Sequence, residues 1–256
     1  MKILANDGIS QEGISALQKA GYTVVTEKVN QDELINAINE NNYEIVLVRS
    51  ATTVRKEVID ACPGLKLIGR GGVGMDNIDV DYARQKGLTV INTPGASSQS
   101  VAELVMGQLF SISRSLHDSF KNMENGDFSV LKKKYAKGVE LRGKKLGIIG
   151  LGRIGQSLAS YAISCGMEVV ALGKFEEKVM VSLPKMQGHD GPKIELTVHT
   201  DILNYLPELD YISLHVPKQS NGEAVIGKAQ FEAMKDGVRI ANASRGGVID
   251  EHALLD

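Results

Sequence analysis

Tryptophan is missing from these 256 residues, cysteine occurs only twice, and neither sign of charge dominates. Cys62 and Cys165 are too few for a disulfide framework and have no partner at metal-ligand spacing, so both are read as buried structural thiols and no metal is expected. No apolar run approaches the roughly 18 residues of a membrane span, and the chain opens on a strand-like segment rather than a hydrophobic leader. A cytoplasmic, membrane-free protein is the expectation. Lys and Arg number 29 against 31 Asp and Glu, a net charge of -2 with no sustained basic block, which leaves no electrostatic footprint for nucleic acid. A small molecule is the partner that remains. What is present is globular material: at 43% hydrophobic and 23% charged the chain has enough apolar side chains for real cores, and its length suggests two domains.

Short β-branched runs alternate with longer amphipathic stretches. Residues 2–5, 22–26, 45–48, 65–69 and 89–92 read as strands with helices between them, the pattern of parallel βαβ units. Ser10 stands where a helix N-cap would, with Gly21 as its stop. This block, 1–97, reads as one small α/β domain. A long helix is expected over 100–123, followed by a polar connector through Asn125-Gly126-Asp127 and Lys132-Lys133-Lys134. Strands resume at 146–149, 169–172, 211–216 and 239–241, so 98–256 reads as a second α/β domain. Residues 179–196 break both periodicities and read as a surface excursion, with a hairpin as its suggested form. The predicted fold is α/β, with two Rossmann-like or flavodoxin-like parallel-sheet domains.

Gly150-Leu151-Gly152-Arg153-Ile154-Gly155 matches G-x-G-x-x-G, and its context makes the match informative. It follows a strand and opens a helix-like run, as dinucleotide binding requires. The first glycine makes the turn, the second admits a pyrophosphate, and the third lets helix and strand approach, while Arg153 and Ile154 open the helix that faces the phosphate charge. The second domain is therefore expected to bind NAD. One part is absent: the strand 169–172 runs into Gly173-Lys174, where an acid usually accepts the ribose hydroxyls. Lys174 beside Gly173 makes NADP a possible cofactor, with Glu176 and Glu177 as the nearest acids.

Further segments carry a likeness: Arg49-Ser50-Ala51-Thr52, then 69–79 around Gly71-Gly72-Val73-Gly74-Met75-Asp76, Asn92-Thr93-Pro94, Leu214-His215-Val216-Pro217, and Ala243-Ser244-Arg245-Gly246-Gly247. In this order they span the chain, which resembles the D-2-hydroxyacid dehydrogenase family and, within it, the D-3-phosphoglycerate dehydrogenases. The resemblance implies NAD-dependent oxidation of D-3-phosphoglycerate to 3-phosphohydroxypyruvate in serine biosynthesis. The alternatives are another D-2-hydroxyacid dehydrogenase, such as a glyoxylate or hydroxypyruvate reductase, or a non-catalytic NAD-binding interaction protein. It implies that the Gly72, Val73 and Gly74 backbone holds the substrate carboxylate and that Arg245 binds carboxylate and C2 oxygen together. Arg49 and Ser50 would meet the phosphate, with Arg70 and Lys132–Lys134 as weaker candidates. Val216 and Pro217, with Ala243, Ser244 and Arg245, would line the cofactor, and a homodimer is expected. The family's proton-transferring histidine and its glutamate have no counterpart before Asp256, so the chain reads as a truncated enzyme. His117, His189, His199 and His252 are read as surface or structural, and His215 as a neighbour of the cofactor.

Overall fold

Parallel strands buried on both faces need continuous apolar runs, and the N-terminal third supplies them at regular spacing. In the computed structural model, which describes residues 1–185 and 187–255, contacts divide the chain into units Met1–Ser97 and Ser98–Asp256. The first contains β1 (Lys2–Ala5), α1 (Gln11–Lys19), β2 (Thr23–Val25), α2 (Leu34–Glu40), β3 (Ile45–Val48), α3 (Lys56–Ala61), β4 (Leu67–Arg70), α4 (Val80–Gln85) and β5 (Thr89–Asn92). All five strands are parallel in the order β2-β1-β3-β4-β5. Leu4, Val46 and Ile68 are completely buried against Leu34, Ile38, Val58 and Ile59, each such side chain contributing about 1.5–3 kcal/mol by leaving water. Ser10 caps α1 by accepting from the Gly13 N–H, and Gly21, at φ +86°, ends the turn that follows.

The second unit begins with three helices, α5 (Ser98–Arg114), α6 (Leu116–Asn122) and α7 (Phe128–Tyr135). It continues through β6 (Lys145–Ile149), α8 (Arg153–Ser164), β7 (Glu168–Leu172), β8 (Glu177–Ser182), β9 (Lys193–His199), α9 (Ile202–Tyr205), β10 (Tyr211–Leu214), α10 (Lys228–Ala233), β11 (Arg239–Asn242) and α11 (Glu251–Leu255). Its sheet runs β11-β10-β6-β7-β9-β8, parallel throughout except for β8, which pairs antiparallel with β9. Along β6 the side chains alternate as a strand must: Leu146 and Ile148 pack on α5 and α8, while Ile149 packs on the opposite face with Leu172, Ile212 and Leu214. The chain leaves β6 for β7 on one side and has β10 on the other, so the strand order reverses at β6. Ligands of open α/β sheets bind at the carboxyl end of that reversal.

Three readings are corrected. The helix expected over 100–123 is two helices, because Ser115 adopts φ 53° and this left-handed residue ends the ladder of α5 before α6 begins. The lysine-rich connector contains α7: Asp127 caps it by accepting from the Val130 N–H, and Lys132, Lys133 and Lys134 occupy the last turn, where the helix dipole favours cations. The hairpin named for 179–196 is present as β8–β9, where Lys178 and Glu195 form a cross-strand ion pair at 2.7 Å, with residue 186 outside the described residues. Cys165 is exposed rather than buried, since it caps the C-terminus of α8 and only its backbone N–H is engaged there. Cys62 is buried, and burial pushes its thiol pKa up, as expected for an inert thiol.

Candidate functional site

The turn after β6 is built so tightly that each glycine has a distinct reason to lack a side chain. Gly150 adopts φ +98°, donates its N–H to Leu172 O at 2.8 Å, and a Cβ there would lie 2.8 Å from both His215 O and Val216 Cγ1. At Gly155 a Cβ would lie 2.2 Å from Gly150 O, so α8 rests directly on the backbone of the turn. Gly152, the N-cap of α8, faces open space: a Cβ would meet nothing within 4 Å. Two glycines are thus demanded by the protein's own packing, and the third leaves room that the chain does not fill. The first turn of α8, including Arg153 and Ile154, presents the N–H groups that a helix cannot satisfy internally, beside the positive end of its dipole. The arrangement fits a pyrophosphate.

Around this cradle, Val216 packs on Gly150 and Pro217 follows it at the surface. His215 Nε2 lies 2.9 Å from Ser213 Oγ, whereas its Nδ1 is buried with no hydrogen-bond partner. Burial pushes the imidazole down to a pKa of about 4, so the ring is neutral at neutral pH. Beyond β7, Gly173 donates its N–H to His199 O at 2.9 Å, and a Cβ at that position would come within 2.7 Å of Val198 Cγ1. An acid at 173 would therefore have to displace Val198, which is a steric reason for the glycine. Lys174, Glu176 and Glu177 are exposed. After β11, Asn242 organises the following residues: its Oδ1 accepts from the Ser244 N–H and hydroxyl at 3.0 and 2.8 Å, and its Nδ2 donates to Arg245 O at 2.9 Å. The half-buried Arg245 donates from Nη1 to Ser244 O at 2.8 Å, and Ala243 packs on the core beside them.

In the first unit the carboxyl ends of β1, β3, β4 and β5 border a cleft of about 780 Å³, lined by Arg49, Arg70, Gly71, Asn92 and Thr93 among others. Arg70 Nε is buried without a partner, and its guanidinium lies where a Cβ of Gly72 would be, 1.9 Å from Nη1. Gly72, at φ +152°, is the residue that lets this arginine lie flat across its own loop. Asn92 Nδ2 donates to Val73 O at 2.7 Å and the Thr93 N–H to Gly72 O, so the loop is held by its carbonyls, while its Val73 and Gly74 N–H groups have no acceptor among the described residues. Two adjacent unused amides in a glycine loop can hold an anion. A second recess of about 460 Å³ adjoins, bordered by Asp7, Lys28, Arg49 and Ser50.

The sequence reading missed the residues that hold Arg49. Asp7 Oδ2 accepts from the Arg49 N–H at 2.6 Å and the Thr52 N–H at 3.1 Å, while Oδ1 accepts from Thr52 Oγ1 at 2.7 Å and Lys28 Nζ at 2.9 Å. Burial alone would raise the Asp7 pKa, but the bonds from Lys28, Arg49 and Thr52 outweigh it and hold it at about 2. Asn77 Nδ2 grips the opposite side of the turn through Arg49 O at 2.7 Å and Thr52 O at 2.6 Å. These partners are 21 to 45 residues apart in sequence, so no local pattern announces them. Lys134 spends its charge on Asp118 at 2.7 Å, and His199 stacks on Tyr205 at 4.5 Å.

Comparison with known proteins gives a consistent picture. Residues 3–242 match the model of the D-isomer specific 2-hydroxyacid dehydrogenase catalytic domain. The whole chain aligns with a hydroxypyruvate reductase of Thermotoga maritima at 38% identity, spanning 78% of that protein. It aligns equally with a D-3-phosphoglycerate dehydrogenase of Methanocaldococcus jannaschii at 37% identity, spanning 46% of it. Among solved structures, the cofactor(NAD+)-bound 3-phosphoglycerate dehydrogenase of Entamoeba histolytica superposes with a TM-score of 0.75 at 27% identity, over 100% of this chain and 75% of that one.

Proposed function

The chain belongs to the D-isomer specific 2-hydroxyacid dehydrogenase family, and from that premise we propose that it serves NAD-dependent oxidation of D-3-phosphoglycerate to 3-phosphohydroxypyruvate. The observation that carries the dinucleotide half of this reading is the turn at Gly150–Gly155, where packing accounts for two glycines and leaves Gly152 open. Gly150, Gly152, Arg153, Ile154 and Gly155 would hold the pyrophosphate, with Val216, Pro217, Ala243 and Ser244 along the cofactor. The nicotinamide, when bound, supplies the hydride acceptor. Neutral His215 offers a buried ring nitrogen beside this turn without placing a charge there.

The substrate assignments rest on the chemistry of the loops. The unused Val73 and Gly74 amides after Gly72 take the carboxylate, and Arg245, fixed by Asn242 at the carboxyl edge of its sheet, presents a planar fork for carboxylate and C2 oxygen. A guanidinium stays protonated, so Arg245 orients and polarises but does not transfer the proton. Arg49 and Ser50 take the phosphate. A second reading, hydroxypyruvate reductase, is favoured by the Thermotoga relative, of which this chain spans the larger share. For the cofactor, NAD is the first reading; exposed Lys174 beside Gly173 favours NADP as the second, because no acid there repels a 2′-phosphate.

Calorimetric titration with NAD, NADH and NADP, followed by assays of D-3-phosphoglycerate oxidation and hydroxypyruvate reduction, tests all three points. Binding of no dinucleotide would remove the dehydrogenase reading. A homodimer is also proposed, supported by Phe120, which is 88% exposed and shares a surface recess with the exposed Leu116 and Met123. Phe120→Glu should then yield monomers in sedimentation.

A further inference from the structure

Packing holds Gly150 and Gly155 in the turn after β6, but nothing steric holds Gly152, whose surroundings are empty. A glycine with room around it lets the peptide units that flank it rotate. The unit ahead of it, between Leu151 and Gly152, is fixed by other means. The Leu151 side chain is 7% exposed and belongs to the core formed with α5 and α8, and its carbonyl oxygen accepts from Gln156 Nε2 at 3.0 Å. Among the described residues no backbone amide donates to that oxygen, because the first main-chain bond of α8 runs from the Gln156 N–H to Gly152 O at 2.8 Å, one residue later. Gln156 therefore grips the turn twice, by its main chain at Gly152 and by its side chain at Leu151. The direction of the second grip decides what the turn offers an anion. The C=O and N–H of a trans peptide unit point opposite ways, so with the Leu151 oxygen drawn to Gln156 the Gly152 N–H is turned to the other side. Like the Arg153 and Ile154 N–H groups, it has no acceptor among the described residues. Half a turn of that unit would put the Leu151 oxygen where the Gly152 N–H now stands, an acceptor in place of a donor, and a phosphate oxygen would be repelled.

We infer that Gln156 is a positioning residue, whose carboxamide locks the peptide between Leu151 and Gly152 in the orientation that keeps a donor available to the pyrophosphate. It acts through the Leu151 oxygen rather than on the ligand. This deepens the reading of a dinucleotide-binding turn and rests on it. The G-x-G-x-x-G pattern ends at Gly155 and does not include Gln156, yet the one glycine that packing leaves free depends on this half-buried side chain for its setting.

The test is calorimetric titration of the full chain with NADH and with ADP-ribose, which keeps the pyrophosphate and lacks the nicotinamide. Gln156→Met matches the side chain in size but has no donor, and it should weaken both ligands by the same factor, about five- to tenfold, the weight of one hydrogen bond between neutral groups. Gln156→Glu adds a pH profile. At pH 8 its carboxylate cannot donate and faces the Leu151 oxygen, so both ligands should bind at least about tenfold more weakly than to the parent. As the pH is lowered towards the carboxyl pKa, about 4.3 when unperturbed, the protonated side chain regains an O–H donor and the deficit against the parent at the same pH should shrink. Parental affinity in Gln156→Met overturns the proposal, as does a loss confined to NADH or a deficit in Gln156→Glu that stays constant with pH. Failure of the dinucleotide reading looks different: the parent itself binds neither ligand, and the proposal falls with it.

Discussion

The two units offer an anion opposite kinds of welcome. Around Gly150–Gly155 the donors are backbone amides at the head of α8, arranged by a contiguous hexapeptide and made possible by what the residues lack. At the recess beside Arg49 the donors are side chains, and their positions depend on hydrogen bonds from Asp7 and Asn77 across long sequence separations. The first design is rigid because the main chain is packed against itself. The second is rigid only while its charges keep their protonation states. Steric faults should therefore break the former and titration the latter.

The largest expected effect is Gly155→Ala. Its methyl group would press on a carbonyl oxygen rather than a flexible side chain, so the second unit should lose about 3–4 kcal/mol in denaturant melts, the upper range for overpacking, together with dinucleotide binding. A variant as stable as the parent would mean that the main chain can yield there, and the contrast with the other unit would collapse. His215 sharpens the comparison by being a titratable group in the sterically built unit. Its folded pKa of about 4 lies below the ordinary 6.5, so below pH 6.5 the unfolded chain binds a proton that the folded one refuses. Stability should fall as pH drops from 6.5 to 4, by about 3 kcal/mol in total, and His215→Asn should flatten that slope in urea titrations.

Asp7 runs through a lower window. Its carboxyl is held at about 2 against an ordinary 3.8, so its contribution of about 2 kcal/mol is complete above pH 4 and disappears as pH falls through 2. Asp7→Asn should cost the first unit that amount at pH 7 and nothing near pH 2, where equal losses at both would contradict an electrostatic clamp. The smallest effect on folding is expected at Gly152→Ala. With φ at −72° and open space around it, alanine should change stability by no more than about 0.5 kcal/mol, yet its methyl should lower dinucleotide affinity at least about tenfold. Unchanged NADH affinity in a calorimetric titration would separate Gly152 from the ligand.

The same contrast explains what could be read from the sequence. β1, β3 and β5 were legible to the residue because parallel strands write themselves as short local runs of β-branched residues between turn signals, and the glycine turn was legible because its causes lie within six residues. The kink at Ser115 was not, since the apolar stripe of α5 continues into α6 and nothing in the pattern marks a left-handed serine. The lysine run looked like linker because three like charges mask the helix that Asp127 starts. Asp7, Asn77 and Asn92 act through partners brought together only by the fold, the first two from turns and Asn92 from the end of β5. Cys165 differs from Cys62 only in facing outward from a helix end, a matter of a few residues' rotation.

The β8–β9 hairpin also decides how this chain can associate by strand pairing. On the outer rim of its sheet, β8 exposes Glu177 and Lys178 and ties Lys178 to Glu195 behind it, so a second strand arriving there must bury or displace charge. The opposite rim, β11, has a single charged side chain, Arg239. A fibre that grows by edge addition needs a receptive strand at each end of every copy. This sheet has one receptive end at most, so pairing through it stops after two copies and does not propagate.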